Sequence, residues 1–468
     1  MTESASYDLV VVGMGAAGLS AGVSFVDAAT AAGHDPRVAV LERAPEQERG
    51  GATRYTSSWF RVTEDRRLDP NLVGLMESLS GGLADLDYCR TLEREVPASL
   101  DFLDGHAVEI TYFKQPFPNR NTGGGLGMPV GGGIAIVDGL AGILEGTNGV
   151  ELLYETEALA LRLSSDGQVD GIVVRGRDGQ ERTLRAGAVV IACGGFEGNP
   201  EMLAEHLGER GRELSVIAPG PGNNRGDGIR MAVEAGAATA GQFDMFHAEP
   251  VDPRATKPDP VFYPYVYGIV VNRQAKRFFD EGQNSFDSTF EALGYEIWRN
   301  QEQTAFFIGD QTTLGIEPFE AVVFTDVAPV TAETIGGLAE GLGLDPGALE
   351  QTVAEYNAAI GPGEFDPYSF DAKSTRGLEP PKSNWAFPLD SPPFVAYPLT
   401  CAITFTFGGI RTDSSARVVT AAGEPIPGLY AAGEVTGVYY NEYPAGTSVL
   451  RSVTFGRLAG AHAAGEVG

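Results

Sequence analysis

The stretch that decides the fold lies near the start of the chain and reads Asp8-Leu-Val-Val-Val-Gly13-Met-Gly15-Ala-Ala-Gly18. An apolar run followed by Gly-x-Gly-x-x-Gly and small residues predicts a buried strand that turns tightly into a helix. Glycines at such a turn let the backbone approach a pyrophosphate at the positive end of the helix. The next apolar strand ends on Glu42, which can accept hydrogen bonds from a ribose. A glycine-rich turn alone is a weak signal, but strand, glycines, helix and acid in this order indicate a nucleotide-binding unit.

A second segment of the same kind lies near the end of the chain. Gly428-Leu-Tyr-Ala-Ala-Gly433-Glu434 is followed by a helix that opens at Gly446. One ligand would have to be long enough to contact both ends of the chain.

The composition is strongly acidic. Among 468 residues, 33 Lys and Arg face 63 Asp and Glu, which gives a net charge of -30. Such a charge repels nucleic acid and anionic membrane surfaces, so neither is expected as a partner. No apolar run reaches the ~18 residues of a membrane span, and the N-terminal residues lack a targeting pattern, so a cytoplasmic location is expected. Cys89, Cys193 and Cys401 are too widely spaced for a disulfide framework or a metal site, and no metal is expected.

The length predicts more than one domain, because a single core rarely holds this many residues. The first domain is expected over residues 1–245 and includes an apolar strand, Ala188–Cys193, that joins the same sheet and runs into Gly194. Residues 246–375 are richer in proline and aromatic residues, with helical stretches such as the one after Asp345, and are typical of an inserted lid. Residues 376–468 are expected to complete the first domain.

Several segments together resemble the FAD-dependent fumarate reductase and succinate dehydrogenase flavoprotein superfamily, over nearly the whole chain. The resemblance implies an α/β fold in which a Rossmann-like FAD-binding domain carries an inserted α+β capping domain. Three further segments, starting at Arg277, Pro380 and Ala402, are most similar to the tricarballylate dehydrogenase branch. The segments that carry the wider resemblance are Gly13–Gly18, Arg49–Thr53, Ala192–Phe196, Asn224–Ala232, Gly268–Gly282, Gly408–Ile410 and Ala432–Glu434.

The resemblance implies FAD, with contacts that can be placed residue by residue. The pyrophosphate would lie on the first glycine turn, the ribose beside the end of the second strand, and the flavin between residues 49–53 and the helix at 448. Covalent members of the superfamily attach FAD through a histidine at residues 49–53, and this chain has none there, so noncovalent FAD is expected. The expected contacts are Gly13, Gly15, Ala16, Ala17, Gly18, Glu42, Arg43, Gly50, Gly51, Ala52, Thr53, Ala158, Gly194, Asp227, Gly433, Glu434, Gly446, Ser448 and Val449.

Departures from the superfamily pattern argue against fumarate chemistry. Fumarate reductases of the superfamily place a proton-donating arginine shortly after the acidic pair that ends here at Glu281, and this chain lacks it. Their carboxylate-holding His-Thr and Asn-Arg pairs are replaced by Phe405-Thr and Glu442-Tyr443. Tyr443-Pro-Ala-Gly446 instead resembles the Tyr-Pro-Gly segment of 3-ketosteroid dehydrogenases, in which the tyrosine hydroxyl polarises a carbonyl.

The expected reaction removes a proton next to a carbonyl or carboxyl and transfers the β-hydride to flavin N5. Tyr443 is the first candidate to stabilise the developing enolate. The base stays open among His247, Glu249, Glu281 and the Tyr263–Tyr267 run, which includes Tyr265. Alternating tyrosines are also typical of one face of a packed strand, and Glu281 could serve only to hold the lid backbone.

Two pairs of residues are candidates for holding the substrate. Arg54 and Arg61 can bind a carboxylate through two hydrogen bonds, although such arginines are more often solvated. Thr404 and Thr406 can bond to a carbonyl, or they simply alternate along a strand. The sequence thus predicts a dehydrogenase for a small carboxylic acid or ketone with a separate electron acceptor. The alternatives are a reductase of an activated double bond and an altered flavoprotein that acts in electron transfer.

Overall fold

The computed structural model describes residues 6–113 and 125–467. The N-terminal residues from which the absence of a targeting segment is expected lie outside these ranges. In these ranges, every helix is too short or too polar to span a bilayer. The strands are β1 (Ser6–Val12), β2 (Val38–Leu41), β3 (Ile110–Phe113), β4 (Leu126–Pro129), β5 (Val150–Leu153), β6 (Glu157–Leu163), β7 (Val169–Arg175), β8 (Glu181–Ile191), β9 (Ser215–Val216), β10 (Thr239–Ala240), β11 (Phe246–Val251), β12 (Ile269–Val271), β13 (Ala305–Gly309), β14 (Val330–Ala332), β15 (Phe394–Thr406), β16 (Gly409–Ile410), β17 (Arg417–Val419) and β18 (Pro425–Ala431). The helices are α1 (Ala16–Ala31), α2 (Leu72–Leu79), α3 (Leu86–Gly105), α4 (Gly133–Glu145), α5 (Pro200–Leu207), α6 (Asp227–Glu234), α7 (Phe286–Asn300), α8 (Gln311–Leu314), α9 (Glu317–Glu320), α10 (Ile335–Leu342), α11 (Pro346–Ala359) and α12 (Ser448–Val467).

The first sheet is parallel at its centre, in the order β18-β8-β1-β2-β5. Antiparallel strands β17, β6 and β7 extend it. The predicted strand before Gly194 is β8, and its parallel pairing with β1 confirms that it belongs to this sheet. Parallel strands are covered on both faces, which is why β1 and β2 read as unbroken apolar runs.

The glycine turn predicted after β1 is present. Gly13 has a φ of +105°, which a residue with a side chain rarely adopts, and α1 begins at Ala16. The amide of Ala16 donates to Thr53 Oγ1 at 3.1 Å, so the start of α1 contacts the segment Arg49–Thr53. The α/β fold with a nucleotide-type β1-turn-α1 unit is therefore confirmed.

Helix α12 packs directly on α1 and so joins the two ends of the chain. A Cβ on Gly456 would lie 2.2 Å from the Ala17 carbonyl oxygen, and one on Gly460 would lie 2.1 Å from the Ala21 carbonyl oxygen. Only glycine permits this separation of the two helix backbones. The long ligand expected from the two glycine-rich ends therefore has both of its contact regions on one packed helix pair.

A second sheet lies over the cavity that opens at the end of the first. Its order is β11-β15-β13-β12, with β14 and β9 also paired to β15. The predicted boundary at residue 246 coincides with the start of β11. The boundary at 375 does not coincide with a change of sheet, because β15 bonds to β11, β13, β14 and β9 as far as Thr406. The division into domains stays a prediction, and sheet membership favours a return to the first domain after β15.

Local structure in the lid follows the sequence in one place and departs from it in another. The helix expected after Asp345 is α11, and the Asp345 carboxylate caps it by accepting a hydrogen bond from Ala348 N at 2.7 Å. The tyrosine run does not form a strand. Pro264–Tyr267 is a 3₁₀ helix, because proline fixes a helical φ at its first position and the amide it lacks has no partner to lose there.

Candidate active site

One long cavity runs from the first glycine turn to the second sheet. The carboxyl ends of β1, β2, β8 and β18 open into it, as ligand sites in open α/β sheets do. Of the predicted FAD contacts, all line this cavity except Gly18 and Gly50. Gly18 lies behind the turn, where a Cβ would be 1.9 Å from the Gly13 carbonyl oxygen, and Gly50 packs against Val137. Because both residues are glycines, the turn after β1 and the segment Arg49–Thr53 can pack closely against these neighbours.

The end of the cavity next to β2, where the ribose is expected, is built around acidic residues and one arginine. Glu42 is 7% exposed and accepts from the Ala44 amide at 2.9 Å, while burial raises the pKa of its carboxyl group. Arg43 donates to Asp227 Oδ2 at 2.6 Å and to Glu157 Oε1 at 3.0 Å. Glu42 is therefore a fixed hydrogen-bond acceptor, and Arg43 holds Asp227 at the mouth of the cavity.

Glu434 belongs to a second buried acid cluster. It accepts from Thr406 N at 2.9 Å, and the Asn224 side-chain amide donates both to Glu434 at 3.2 Å and to Glu197 at 2.6 Å. Burial raises the pKa of both carboxyl groups, and the negative charge of Glu434 raises that of Glu197 further. Thr406 lies outside the cavity lining and holds Glu434, so the structure gives it a positioning contact.

The hydroxyl of Tyr443 lies at the start of α12. It accepts from the amides of Thr447 at 2.8 Å and Ser448 at 2.9 Å, and donates to Ser448 Oγ at 3.2 Å. Two of the helix-start amides expected to face the flavin therefore donate to this phenol oxygen. Tyr443 is 6% exposed and lines the cavity.

A chain of hydrogen bonds links Tyr443 to the cap. Tyr443 N donates to Glu291 Oε2 at 2.7 Å, and Glu291 Oε1 lies 2.7 Å from His247 Nδ1. His247 Nε2 lies 3.1 Å from Glu249 Oε1, which also accepts from the Tyr263 hydroxyl at 2.9 Å. Burial alone would lower the pKa of His247, but the two carboxylates outweigh it and raise the pKa to about 10. His247 is therefore an imidazolium held between two buried glutamates.

Several groups of the cavity wall, Ser58 Oγ among them, have polar atoms without a hydrogen-bond partner in the described part of the chain. Glu249 Oε2 and Thr404 Oγ1 are buried and unpaired. Asp259 also lines the cavity, and burial together with the charge of Glu249 raises the pKa of its carboxyl group to about 7. A buried polar atom left unpaired is costly, so such atoms mark places where a ligand or a proton binds.

The remaining candidates lie elsewhere. Tyr265 is fully buried and bonds to Thr289 at 2.7 Å, outside the cavity lining. Glu281 accepts from Val270 N at 2.7 Å and from Arg277 at 2.6 Å, so it holds the lid backbone. Neither is placed to touch a substrate.

The two candidate arginines differ in position. Arg54 lies outside the lining, whereas Arg61 lines it but is completely buried. Arg61 pairs with Asp69 at 3.2 Å and donates to the Pro444 carbonyl oxygen. It fixes the segment that carries Tyr443.

Sequence reasoning missed Glu291, Asn224 and Asp259. Glu291 had a usable signal, because it lies on the same face of α7 as Tyr295 and Trp298, where a lone carboxylate needs a partner. Asp259 stands in Lys-Pro-Asp-Pro, which indicates only a turn.

The residues present fit FAD. A glycine turn opens at the start of α1, a buried carboxylate closes β2, and an elongated cavity reaches from there to α12. A family model described as FAD binding domain matches residues 8–449. The chain belongs to this family of FAD-binding flavoproteins, with FAD as cofactor.

Three comparisons describe its relatives. The chain is 27% identical over 477 residues to a fumarate reductase (cytochrome) of Shewanella frigidimarina, covering 98% of this chain and 77% of that protein. It is 32% identical over 327 residues to a 4-oxocyclohexanecarboxylate 2-dehydrogenase of Sinomonas cyclohexanicum, covering 64% and 54%. The solved 3-ketosteroid-Δ4-(5α)-dehydrogenase of Rhodococcus jostii RHA1 is 26% identical, with a TM-score of 0.72 and coverage of 99% and 98%. The flavoprotein's relatives therefore include both reductases and dehydrogenases of carbon-carbon bonds.

Proposed function

We propose that this flavoprotein is a dehydrogenase that introduces a double bond next to the carbonyl group of a small ketone. The observation that carries the proposal is the Tyr443 hydroxyl, which lines the cavity and whose oxygen receives two helix-start amides. A phenol oxygen that accepts two hydrogen bonds makes its own O–H a stronger donor. In the structure this O–H donates to Ser448 Oγ at 3.2 Å. It would turn from Ser448 to a substrate carbonyl oxygen, on which negative charge develops.

Each residue has a part in this reaction. Bound FAD supplies the hydride acceptor. Tyr443, and the free hydroxyl of Thr404, orient the carbonyl oxygen and stabilise the charge that forms as the adjacent carbon loses its proton. The Tyr263 hydroxyl receives that proton as its own moves to Glu249 Oε1, along the 2.9 Å hydrogen bond already present. His247 Nε2, 3.1 Å from the same Oε1, holds this carboxylate in place.

A carboxylate substrate is less well served by the site. On the substrate side the wall carries Glu249, Asp259 and Asp287. Arg61 is held by Asp69, and the positive charge of His247 is held between Glu249 and Glu291. A second anion next to these groups is repelled in a low-dielectric cavity. This charge pattern supports a ketone, in line with the likeness of Tyr443-Pro-Ala-Gly446 to 3-ketosteroid dehydrogenases, over the tricarballylate-type substrate suggested by other segments.

Anaerobic mixing with a substrate panel tests the function. We expect the yellow flavin to bleach with saturated ketones such as cyclohexanone or 5α-androstane-3,17-dione, and not with succinate or tricarballylate. If dithionite-reduced protein is instead rapidly reoxidised by fumarate while no ketone bleaches it, the chain is a reductase. If neither class reacts, it is an electron-transfer protein. Bleaching by tricarballylate alone would show that the protein is a dehydrogenase whose substrate is a carboxylic acid and not a ketone.

A further inference from the structure

The proposed reaction leaves a proton on Glu249, which is 4% exposed. Its Oε1 already faces two donors, the Tyr263 hydroxyl and His247 Nε2. His247 is protonated up to a pKa of about 10, so it cannot take a further proton. Burial raises the pKa of Tyr263 far above its usual value, so this residue relays a proton but does not export one. The proton needs an exit on the side of Oε2, which has no partner in the described residues.

Asp259 is another acidic residue of the cavity wall. It lines the same cavity as Glu249, and the charges of the two carboxylates interact. It directly follows Thr256, Lys257 and Pro258, which are exposed, so it stands where a surface loop reaches the cavity.

The backbone of Asp259 is held in an uncommon conformation. Its amide donates to the Ile217 carbonyl oxygen at 3.2 Å, and its φ of +56° lies in the left-handed region. Such a conformation costs on the order of 1 kcal/mol in a residue with a side chain, although aspartate adopts it more readily than most. Its carboxylate forms no hydrogen bond within residues 6–113 and 125–467.

We propose that Asp259 is the proton exit of the active site, which carries the proton from Glu249 to solvent after each oxidation. The inference rests on the proposed function. In this step the O–H bond on Glu249 breaks and an O–H bond on Asp259 forms, directly or through a water in the cavity that both residues line. A second transfer then moves the proton from Asp259 to bulk water, and no electrons move in either step.

The electrostatics of the wall suit this task. Asp259 is acted on by Glu249, whose charge favours protonation, and by His247 and Lys257, whose charges oppose it. A pKa of about 7 lets a carboxyl group gain and lose a proton with similar ease near neutral pH. Tyr263, the other titratable group beside it, stays protonated over this range.

Single-turnover measurements with a pH-indicator dye test the proposal, with cyclohexanone as probe. In wild type, bleaching and proton release should be simultaneous. In Asp259→Asn the first bleaching should persist, because Glu249 still accepts one proton, while proton release lags by tenfold or more. Steady-state turnover, measured with an artificial electron acceptor that reoxidises the flavin, should fall by the same factor, and added formate or azide should restore part of it. Glu249→Gln should lose bleaching and proton release together.

Asp326→Asn is the matched control, because Asp326 holds the same loop through Thr256 at 3.2 and 2.7 Å without lining the cavity. In Asp326→Asn, proton release and flavin bleaching should be simultaneous, as in wild type. Equal lags in both variants would assign the effect to loop structure and overturn the proposal, as would prompt proton release in Asp259→Asn. If wild type is bleached by no ketone at all, the proposed function fails. In that case indicator-dye titration of resting Asp259→Asn against wild type still decides whether residue 259 exchanges a proton near pH 7, and identical titrations would overturn the assignment.

Discussion

The oxygen of Tyr443 both caps α12 and faces the cavity, so its two roles have to be separated. We expect Tyr443→Phe to keep its FAD and to reduce it at least tenfold more slowly with a reactive ketone. The lost donor stabilises developing charge, an effect of about 3 kcal/mol per donor in other enzymes. Stopped-flow bleaching at saturating substrate measures it, and a loss below threefold, under about 1 kcal/mol, would remove Tyr443 from the mechanism.

Tyr439→Phe is the control for the capping role. The Tyr439 hydroxyl lies 2.8 Å from Thr447 Oγ1, also at the start of α12, but Tyr439 lies outside the lining of the cavity. Both variants should unfold at a lower temperature, since each loses a buried hydrogen-bonding group worth about 1 kcal/mol. Only Tyr443→Phe should slow the reduction of the flavin by the ketone.

His247 makes the stability of the protein depend on pH in the alkaline range. Its pKa is raised from 6.5 to about 10 in the folded protein, so its contribution is complete below pH 6.5 and is lost as pH rises through about 10. The difference in unfolding free energy between wild type and His247→Gln should therefore shrink by more than about 1 kcal/mol between pH 7 and 10.5.

Urea unfolding at several pH values measures this difference. Lys382, whose pKa is lowered to about 8 by burial, has the opposite trend, but it is present in both proteins and cancels. A difference that stays constant with pH would show that His247 is neutral in the folded state.

At this scale the sequence predicted which side chains could do chemistry, but not which of them meet. His247 and Tyr443 were expected in the site, and both line the cavity. Nothing in the sequence showed that Glu291 joins them, because that contact depends on how α7 packs against β11. Tyr265 and Glu281 carried equally suitable groups, yet their hydrogen bonds are used inside the lid.

The pair α1 and α12 is the element on which cofactor binding depends. Because a Cβ on Gly456 would lie 2.2 Å from the Ala17 carbonyl oxygen, Gly456→Ala should force the two helices apart. Since α1 and α12 both begin at the FAD cavity, we expect this variant to bind FAD at least tenfold more weakly. Fluorescence titration of the apoprotein with FAD measures the change.

Gly465→Ala serves as control in the same helix, because a Cβ there has open space. Alanine is the better helix former by about 1 kcal/mol, so this variant should bind FAD normally and be no less stable than wild type. Equal weakening in both variants would mean that helix propensity, and not the close approach, explains the loss.

Elements were predictable where a local signal exists and less so where pairing is distant. The signals that predict the β1-turn-α1 unit and the Asp345-capped helix lie in neighbouring residues of the sequence. The membership of β15 in the second sheet depends on pairing with strands more than 80 residues away, such as β13 and β11, so composition placed its segment in the first domain. The 3₁₀ helix at Pro264–Tyr267 depended on one proline that outweighs the alternation of tyrosines.

At the scale of the molecule, residues from the beginning and the end of the chain line one cavity, so the way in which FAD is attached there affects the stability of the whole fold. Covalent attachment needs a nucleophile beside the flavin, and Cys193 and His247 line the cavity. Burial raises the pKa of Cys193 to about 11, so its thiol stays protonated and unreactive near neutral pH. His247 is protonated up to a pKa of about 10 and has no free lone pair for attack.

We therefore expect noncovalent FAD, which acid precipitation should release completely into the supernatant. The native protein should then unfold at a temperature that rises with added FAD. A ligand that binds only the folded state stabilises it by about 2.7 kcal/mol at one hundred times its Kd. Absorbance of supernatant and pellet, together with melting curves at increasing FAD, measures both effects. Colour that stays in the washed pellet, with a melting temperature indifferent to FAD, would establish a covalent bond and would direct peptide mapping to Cys193 and Tyr55, which also lines the cavity.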